Sequence, residues 1–381
     1  MMKLGDVARE YKEKHTGPKE GVPVVGLEHL TPDDLSLSSW SDNQNNTFTK
    51  AFKTGHILFG RRRAYQRKAA IAPFDGICSG DITVIEAIPN KINPDLLPFL
   101  IHNHHFFDYA VGMSAGSMSP RVKWEYLKEY RFRLEPVESQ CQAAQILKTA
   151  NELKLSYLRL LSATDEIVKS RFVEMFGDMK SNPMKWEIAP FSQFAVIDGG
   201  LTTDYDAWAD FPHIGIDSIM KDTGELVGYR TVSEDGVKSG KYVFTPEHII
   251  YSKIRPNLNK VALPSFTGLC SADAYPILPN KTNCNRTFLA FVMRSPYFLD
   301  YILPHSTRTN MPKVNRAALG GFTMPLPPLA LQQKFEVFVE KTDKSKFTLQ
   351  HNIEKLNDFI QAFTNQIFGL NEEDDTTVTK E

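Results

Sequence analysis

Basic residues of this chain are concentrated in two short segments that contain no acid. Six cations and no Asp or Glu lie between Lys53 and Lys68, and three cations and no acid lie between Ser252 and Lys260. Loop cations of this kind are suited to phosphate contacts, and arginine can also donate two hydrogen bonds to a guanine edge. A solvated charged face is the alternative interpretation. The candidate contacts are Arg61, Arg62, Arg63, Arg67, Lys68, Lys253, Arg255, Asn257 and Lys260.

A polar loop lies further along the chain from each basic segment. These loops run over residues 114–123 and 305–316, and both are rich in hydroxyl, amide and guanidinium groups. Such groups can donate hydrogen bonds to phosphates and to base edges. Exposed polarity at the entry to a helix is the alternative explanation. The candidate contacts here are Ser117, Arg121, Lys123, Thr307, Arg308, Asn310 and Lys313.

Sequence signatures of catalysis, metal binding and nucleotide binding are missing from the chain. It has no Asn-Pro-Pro-Tyr/Phe, no GxxxxGK[ST] and no HExxH pattern. Its four cysteines form no CxxC pair, which predicts free thiols, not a zinc site or a disulfide framework. For His102, His104 and His105 a packing or surface role is favoured over metal binding. The sequence therefore predicts no catalytic centre, no cofactor and no metal site.

An internal repeat relates the two basic segments. Adding 192 to a residue number, which we call the repeat shift, takes Arg63 to Arg255 and Lys68 to Lys260. Under this shift ten of the 26 positions from His56 to Asp81 are identical. Two copies of one domain give two equivalent binding surfaces, so the paired cations are less easily explained as incidental surface charge.

Each copy consists of a β-rich module followed by a long helix. Short apolar runs separated by Gly, Pro, Asn and Asp predict strands and turns in the modules, and a further helix is expected over residues 95–111. Residues 138–176 and 330–368 contain no Pro or Gly and have apolar residues every three or four positions, which predicts a long helix in each segment. An antiparallel coiled coil of the two helices would bury both stripes, and two separate core helices are the alternative.

These elements predict an α+β fold with a pseudo-twofold internal repeat. The predicted domains are a first β-rich module at 1–135, a central helix at 136–178, a second β-rich module at 179–326, a distal helix at 327–370 and an acidic disordered tail at 371–381. The tail carries a local negative charge, so the net charge of −1 does not argue against basic patches elsewhere. No signal sequence or membrane span is expected, which predicts a cytoplasmic protein that does not bind membranes.

The chain resembles the specificity (S) subunits of type I restriction–modification systems over nearly its whole length. The resemblance is carried by Val25–Glu28 and Ile214–Asp217, by His248–Lys260, and by Met324–Gln333, together with the tandem arrangement itself. It implies two target recognition domains that each read one half of a bipartite site in double-stranded DNA, with two conserved helices setting the distance between the halves.

The same resemblance implies partners that carry the chemistry. Two methyltransferase (M) subunits would dock on this chain and modify adenine, and restriction (R) subunits would supply translocation and cleavage. The chain would then direct chemistry without performing it. Two alternatives stay open on the residues alone: a protein-assembly scaffold without DNA readout, and an enzyme of unknown type.

Overall fold

The structure is a computed structural model that describes residues 1–42, 45–306 and 312–370. Its residues divide into two compact units. Unit 1 comprises Met1–Leu160 together with the described residues from Thr348 onward, and unit 2 comprises Leu161–Phe347. Among the described residues, no helix has both the length and the apolar character needed to cross a bilayer.

The β-rich part of unit 1 contains three sheets. Strands β2, β8, β5 and β6 form an antiparallel sheet, in which Leu58 pairs with Val84 and Ala70. Strands β3, β7 and β4 form a second sheet, in which β3 and β7 are parallel, and β1 pairs with β9. The strands are β1 Met2–Lys3, β2 Ala8–Glu10, β3 Val24–Val25, β4 Lys50–Phe52, β5 Ile57–Gly60, β6 Ala69–Ile71, β7 Gly76–Cys78, β8 Ile82–Ala87 and β9 Arg131–Phe132.

Short helices of unit 1 pack on these sheets. The prediction of one helix over residues 95–111 is wrong in one respect, because two helices lie there and Asn103 separates them. The Asn103 Oδ1 accepts the His105 N–H at 2.9 Å and so caps the second helix. The α-helices that begin in unit 1 are α1 Leu4–Val7, α2 Leu97–Ile101, α3 His104–Gly112, α4 Trp124–Leu127 and the long α5 Val137–Phe176, which continues into unit 2, and the 3₁₀ helices are Leu27–His29 and Ala64–Gln66.

Unit 2 repeats this plan, and its second sheet has five strands where that of unit 1 has three. Strands β11, β19, β16 and β17 form one sheet, β12, β15, β18, β13 and β14 form a second, and β10 pairs with β20. The strands are β10 Ile188–Pro190, β11 Ala195–Ile197, β12 Leu201–Thr202, β13 Pro212–Ile214, β14 Arg230–Thr231, β15 Lys241–Phe244, β16 Ile249–Ser252, β17 Val261–Ala262, β18 Gly268–Cys270, β19 Ala274–Pro279 and β20 Thr323–Pro325. The α-helices that begin in unit 2 are α6 Phe191–Phe194, α7 Val232–Asp235, α8 Arg286–Arg294, α9 Pro296–Ile302, α10 Arg316–Gly320 and the long α11 Leu329–Phe368, which continues into unit 1, and the 3₁₀ helices are Ile216–Ser218 and Pro256–Leu258.

The duplication predicted from the sequence is confirmed in the elements themselves. The repeat shift takes β5 to β16, β7 to β18 and β8 to β19 with identical bounds. It also takes α5 to α11, and both helices have 40 residues. The α+β fold with two β-rich modules and two long helices is therefore the observed fold class.

The two long helices run antiparallel where both belong to unit 2. The rings of Phe172 and Phe335 lie 5.4 Å apart. Asp165, which precedes Phe172 on α5, pairs with Lys346, which follows Phe335 on α11. In unit 1, the first half of α5 and the last part of α11 contribute to one core, for example through Leu147 and Phe368. Coiled-coil packing along the whole length of the helices stays a prediction.

Candidate nucleic-acid interface

The basic segment of unit 1 forms a tight turn, which we call the first basic turn (residues 61–68). It follows β5 directly, and its centre is the 3₁₀ helix Ala64–Gln66. The residues on either side, Arg63 and Arg67, have left-handed backbone conformations with φ of 54° and 50°. The Arg63 N–H donates to the carbonyl oxygen of Pro120 at 2.8 Å, so the turn is attached to the polar loop at 114–123.

The second basic turn (residues 253–260) of unit 2 has the same backbone. Arg255 and Asn259 have φ of 48° and 49° on either side of the 3₁₀ helix Pro256–Leu258, and the Arg255 N–H donates to Pro312 at 2.8 Å. A left-handed conformation costs a residue other than glycine about 1–2 kcal/mol. Strained backbone of this kind is concentrated at ligand-binding positions, and here it recurs at the same place in both copies.

Lys68 and Lys260 have a different environment from the one predicted. The Lys68 ammonium donates to the carbonyl oxygen of Leu27 at 2.8 Å, and the Lys260 ammonium donates to that of Ile216 at 2.8 Å. Each lysine thus connects its basic turn to the first residue of the 3₁₀ helix that begins within the Val25–Glu28 or Ile214–Asp217 segment. These hydrogen bonds give both lysines a role in positioning the turn, and their contact with DNA phosphate stays a prediction.

An acid that the local sequence does not reveal lies beside each turn. The Asp81 carboxylate accepts from Arg121 Nε at 2.7 Å and from Arg62 Nη1 at 3.4 Å. In unit 2 the carboxylate of Asp273 accepts from Lys313 Nζ at 3.2 Å and lies 4.0 Å from Lys253 Nζ. The basic segments are therefore not free of acids in three dimensions, and Arg62, Arg121 and Lys313 are partly neutralised.

Asp81 is stabilised as a carboxylate by these contacts. The hydrogen bond from Arg121, with further attraction from Arg121 and Arg62, holds the pKa of Asp81 below its ordinary value of 3.8, although partial burial opposes this. The acid stays ionised at neutral pH, so it orients the Arg62 and Arg121 guanidinium groups as a permanent charge. The identity of Asp81 and Asp273 in the repeat was the sequence signal for this role.

Other predicted contacts have side chains that the fold leaves available. The side chains of Arg255 and Asn257 in unit 2 and of Lys123 in unit 1 are exposed and have no hydrogen-bond or ion-pair partner in the described part of the chain. The Nε atoms of Arg61 and Arg63 are buried and likewise lack a partner among the described residues. Because a buried Nε is closed to solvent, an external acceptor would have to meet the terminal nitrogens of these half-buried guanidinium groups.

Further predicted contacts differ in how they are held. Lys253 donates to the carbonyl oxygen of Ala272 and lies 5.1 Å from the centre of the Tyr275 ring. Arg67 has its Nη2 3.6 Å from Asp108, which is a weak ion pair at an exposed acid. Both cations therefore have partners within their own unit.

The polar loop of unit 1 presents two side chains at its tip. Backbone hydrogen bonds in both directions between Ala115 and Arg121 close the loop, and Ser119 Oγ accepts from Arg62 at 3.1 Å. Ser117 is exposed, and Met118 beside it has 89% of its surface exposed. Thr307, Arg308 and Asn310, the predicted contacts of the corresponding loop, lie outside the described residues.

Sequence reasoning missed Tyr65, an exposed side chain in the first basic turn. Tyr65 is 57% exposed and corresponds to the exposed Asn257 of the second turn. An exposed aromatic ring can stack on a base or contact a thymine methyl group. The repeat shift relates Tyr65 to the predicted contact Asn257, but Tyr65 was not selected because its side chain carries no charge.

No metal centre is found in the described part of the chain, where no group of three or more His, Cys, Asp or Glu side chains could hold an ion.

The buried cysteines Cys78, Cys270 and Cys284 have thiol pKa values raised to about 12 by burial. They are consequently protonated and unreactive at neutral pH.

Comparison with known proteins connects this geometry to one family. The family model described as "Type I restriction modification DNA specificity domain" matches residues 1–156 and 183–357. Each matched segment contains one basic turn and its polar loop, so the family match and the internal repeat agree on two copies.

Relatives with names or solved structures point the same way. The type I restriction enzyme EcoDI specificity subunit of Escherichia coli is 33% identical over 195 residues, which is 50% of this chain and 43% of that protein. The crystal structure of a type I restriction–modification S subunit from M. genitalium has a TM-score of 0.54 at 13% identity, over 96% of this chain and 95% of that chain. A chain from a structural study of type I R-M complex assembly and conformational transition has a TM-score of 0.51 at 16% identity, over 96% of both chains. At these identities the two structural matches concern the fold.

Proposed function

Because the chain belongs to the family of type I restriction–modification DNA specificity domains, we propose that it reads a bipartite target in double-stranded DNA. Each β-rich module would read one half of the target. The observation that carries this proposal is the pair of basic turns, which share one strained backbone and present Arg63 and Arg255 at the same position. The chain would direct the chemistry of its partners without a catalytic centre of its own.

The physical basis of this proposal is that some residues hold the conformation of each turn and others would contact DNA. Asp81 or Asp273 and the lysine at position 68 or 260 hold the turn rigid, so few degrees of freedom are lost on binding. The remaining arginine, asparagine and tyrosine side chains can then donate to phosphates, which fix position, and to base edges, which specify sequence.

Gel-shift assays on the assembled complex test DNA reading against a pure scaffold role. We expect the chain together with its methyltransferase subunits to retard a duplex that contains the target, and to release it when unlabelled target is added but not when scrambled duplex is added. Specific binding exceeds nonspecific binding by about 10³ or more in such proteins. Equal competition by both duplexes would favour the scaffold.

For the partners, we propose that one face of α5 docks the methyltransferase subunits. Ile146, Leu153 and Leu160 are spaced by seven residues, so they lie on one face of the helix, and 37%, 43% and 50% of their surfaces are exposed. A row of exposed apolar side chains on a long helix is typical of a site for a partner helix. Restriction subunits, which family membership also suggests as partners, would then join the assembled complex.

Changing the middle residue of this row should separate docking from folding. Leu153→Glu places a charge in the proposed contact, and we expect the affinity for the methyltransferase subunit to fall by about tenfold or more, because burial of one leucine contributes about 1.5–3 kcal/mol. The measurement is calorimetric titration or copurification of the two subunits.

Leu158→Glu is the matched control for this prediction. Leu158 is 40% exposed and lies on the same helix, but five residues further on, which is about 140° around the axis. It should leave methyltransferase docking intact. Equal losses for the two variants, or none for either, would contradict the assignment of this face.

A further inference from the structure

Unit 1 contains a cavity of about 250 Å³, which we call the Lys154 cavity. Its floor is made of buried side chains, and its rim consists of exposed polar ones. The floor includes His102 and Lys154, the rim includes Asp33, Asn357 and Asp358, and Asn151 lies between them.

Lys154 is an unusual residue to find on the floor of a cavity. Only 7% of its surface is exposed, yet its ammonium has no hydrogen bond and no ion pair among the described residues. Lysine is almost never buried unless it is paired. Burial lowers the pKa of Lys154, and the attraction of Asp34 and Asp33 only partly opposes that shift.

A second polar group on the floor also lacks a partner. His102 is buried, and its Nε2 has no hydrogen-bond partner within the described residues. Burial lowers the pKa of His102 to about 3, so its ring is neutral at physiological pH. A neutral imidazole can place its single N–H on Nε2 and donate it to an acceptor in the cavity.

The duplicated positions in unit 2 show what such a site contains when its charges are balanced. The repeat shift takes Lys154 to Lys346, whose ammonium pairs with Asp165 and lies 4.0 Å from Asp343. The same shift takes His102 to Arg294, a buried cation that donates to the carbonyl oxygen of Val261 and is attracted to Asp343. Two cations and two carboxylates therefore balance one another in unit 2.

In unit 1 both of these carboxylates are replaced by amides. Asp343 corresponds to Asn151 and Asp165 corresponds to Asn357, while the smaller imidazole of His102 replaces the arginine. Of these residues only the lysine is identical in the two units. Lys154 therefore lacks both of the carboxylates that balance the charge of Lys346 in unit 2. Asp33 and Asp34 attract the Lys154 ammonium from a distance, but neither forms an ion pair with it among the described residues, so the charge is only partly compensated.

We infer that the Lys154 cavity binds a small free oxyanion, with inorganic phosphate as its representative, in place of the two missing carboxylates. Four side chains that line the cavity can donate hydrogen bonds to the oxygens of such an ion. They are the Lys154 ammonium, the His102 N–H and the amides of Asn151 and Asn357. A volume of about 250 Å³ holds roughly eight water molecules, which is enough for one such ion and a few waters.

The rim of the cavity favours a free ion over a phosphate of the DNA backbone. Asp33 and Asp358 are exposed at the rim. Duplex DNA carries one negative charge per about 1.7 Å, so its backbone would bring many charges against these acids. A single small ion is repelled far less, because solvent and salt screen exposed carboxylates.

Calorimetric titration of the full chain with inorganic phosphate, at constant ionic strength set by chloride, tests this inference. We expect one phosphate to bind the wild-type chain, and Lys154→Met to weaken that binding by at least about tenfold, because a charge-assisted hydrogen bond is lost. Asn357→Asp should weaken it similarly, since its carboxylate restores the acid that Asp165 supplies in unit 2. Lys346→Met, the same change in the copy, should leave phosphate affinity unchanged.

Thermal unfolding and a DNA arm complete the test. Without phosphate, Asn357→Asp should melt higher than the wild type, and phosphate should raise the melting temperature of the wild type but not that of Lys154→Met. A saturating nontarget duplex should leave the phosphate isotherm unchanged, and loss of phosphate binding in its presence would assign the cavity to DNA phosphate and overturn the free ion. Absence of binding by the wild type, or equal binding by Lys154→Met, would overturn the site itself. The duplex arm requires that the chain binds DNA, whereas the phosphate titrations and the melting temperatures do not depend on the proposed DNA reading.

Discussion

Replacing Arg63 and Arg255 together by alanine should lower the affinity of the assembled methyltransferase for its DNA target by roughly a hundredfold. Each arginine occupies the same position in its basic turn, and each is held there through its own backbone N–H, which alanine retains. The exchange therefore removes a guanidinium group without removing the hydrogen bond that anchors the turn. The measurement is a binding titration on target duplex at several salt concentrations.

The salt dependence separates the two ways in which these arginines can act. If one arginine contacts a phosphate, its removal should reduce the slope of log K against log salt by about 0.9 and weaken target and nontarget DNA alike. If it reads a base edge, discrimination at one base pair should fall while the slope stays nearly constant. Lys355→Ala, at an exposed position on α11, is the control. Unchanged affinity for both single variants across the salt series would refute the proposed interface.

The large features of the fold were predictable because they depend on local patterns. Both 40-residue helices were expected to within one residue at each end, since Pro and Gly lie outside them and apolar residues recur at helical spacing inside them. The break at Asn103 was not predicted, because its side chain also donates to Gln361 and Asn365, which lie at the far end of the sequence. Local periodicity holds no information on such partners.

At the candidate site, too, the local sequence did not reveal the tertiary partners of the side chains. The repeat showed that Arg63 is equivalent to Arg255 and Lys68 to Lys260. A residue can be identical in both copies because it contacts a ligand or because it positions the turn, and the sequence does not distinguish these two roles. Only the tertiary structure shows that the two lysines donate to backbone carbonyl groups of their own unit. The acid beside each turn was overlooked because it lies outside the basic segment, just before the next long strand of the sheet.

Lengthening both long helices by seven residues should lengthen the unread spacer of the DNA target by about three base pairs. The insertions would follow Leu158 in α5 and Gln350 in α11, positions that the repeat shift makes equivalent, so that the pairing of the helices is kept. Seven residues add about 10.5 Å to a helix, and base pairs of duplex DNA are stacked about 3.4 Å apart. Methylome sequencing of cells that carry the variant and its methyltransferase subunit gives the new target directly.

The reason to expect a changed spacer with unchanged half-sites is that the two properties reside in different parts of the chain. Each basic turn, with its acid and its lysine, lies wholly within one unit, whereas each long helix contributes residues to both units. An insertion of the same length after Gly228, which is exposed in a module, should leave the spacer unchanged. If the helix variant still methylates the original target with its original spacer, the helices do not set the separation of the half-sites, and the two modules must be positioned on DNA by their partners.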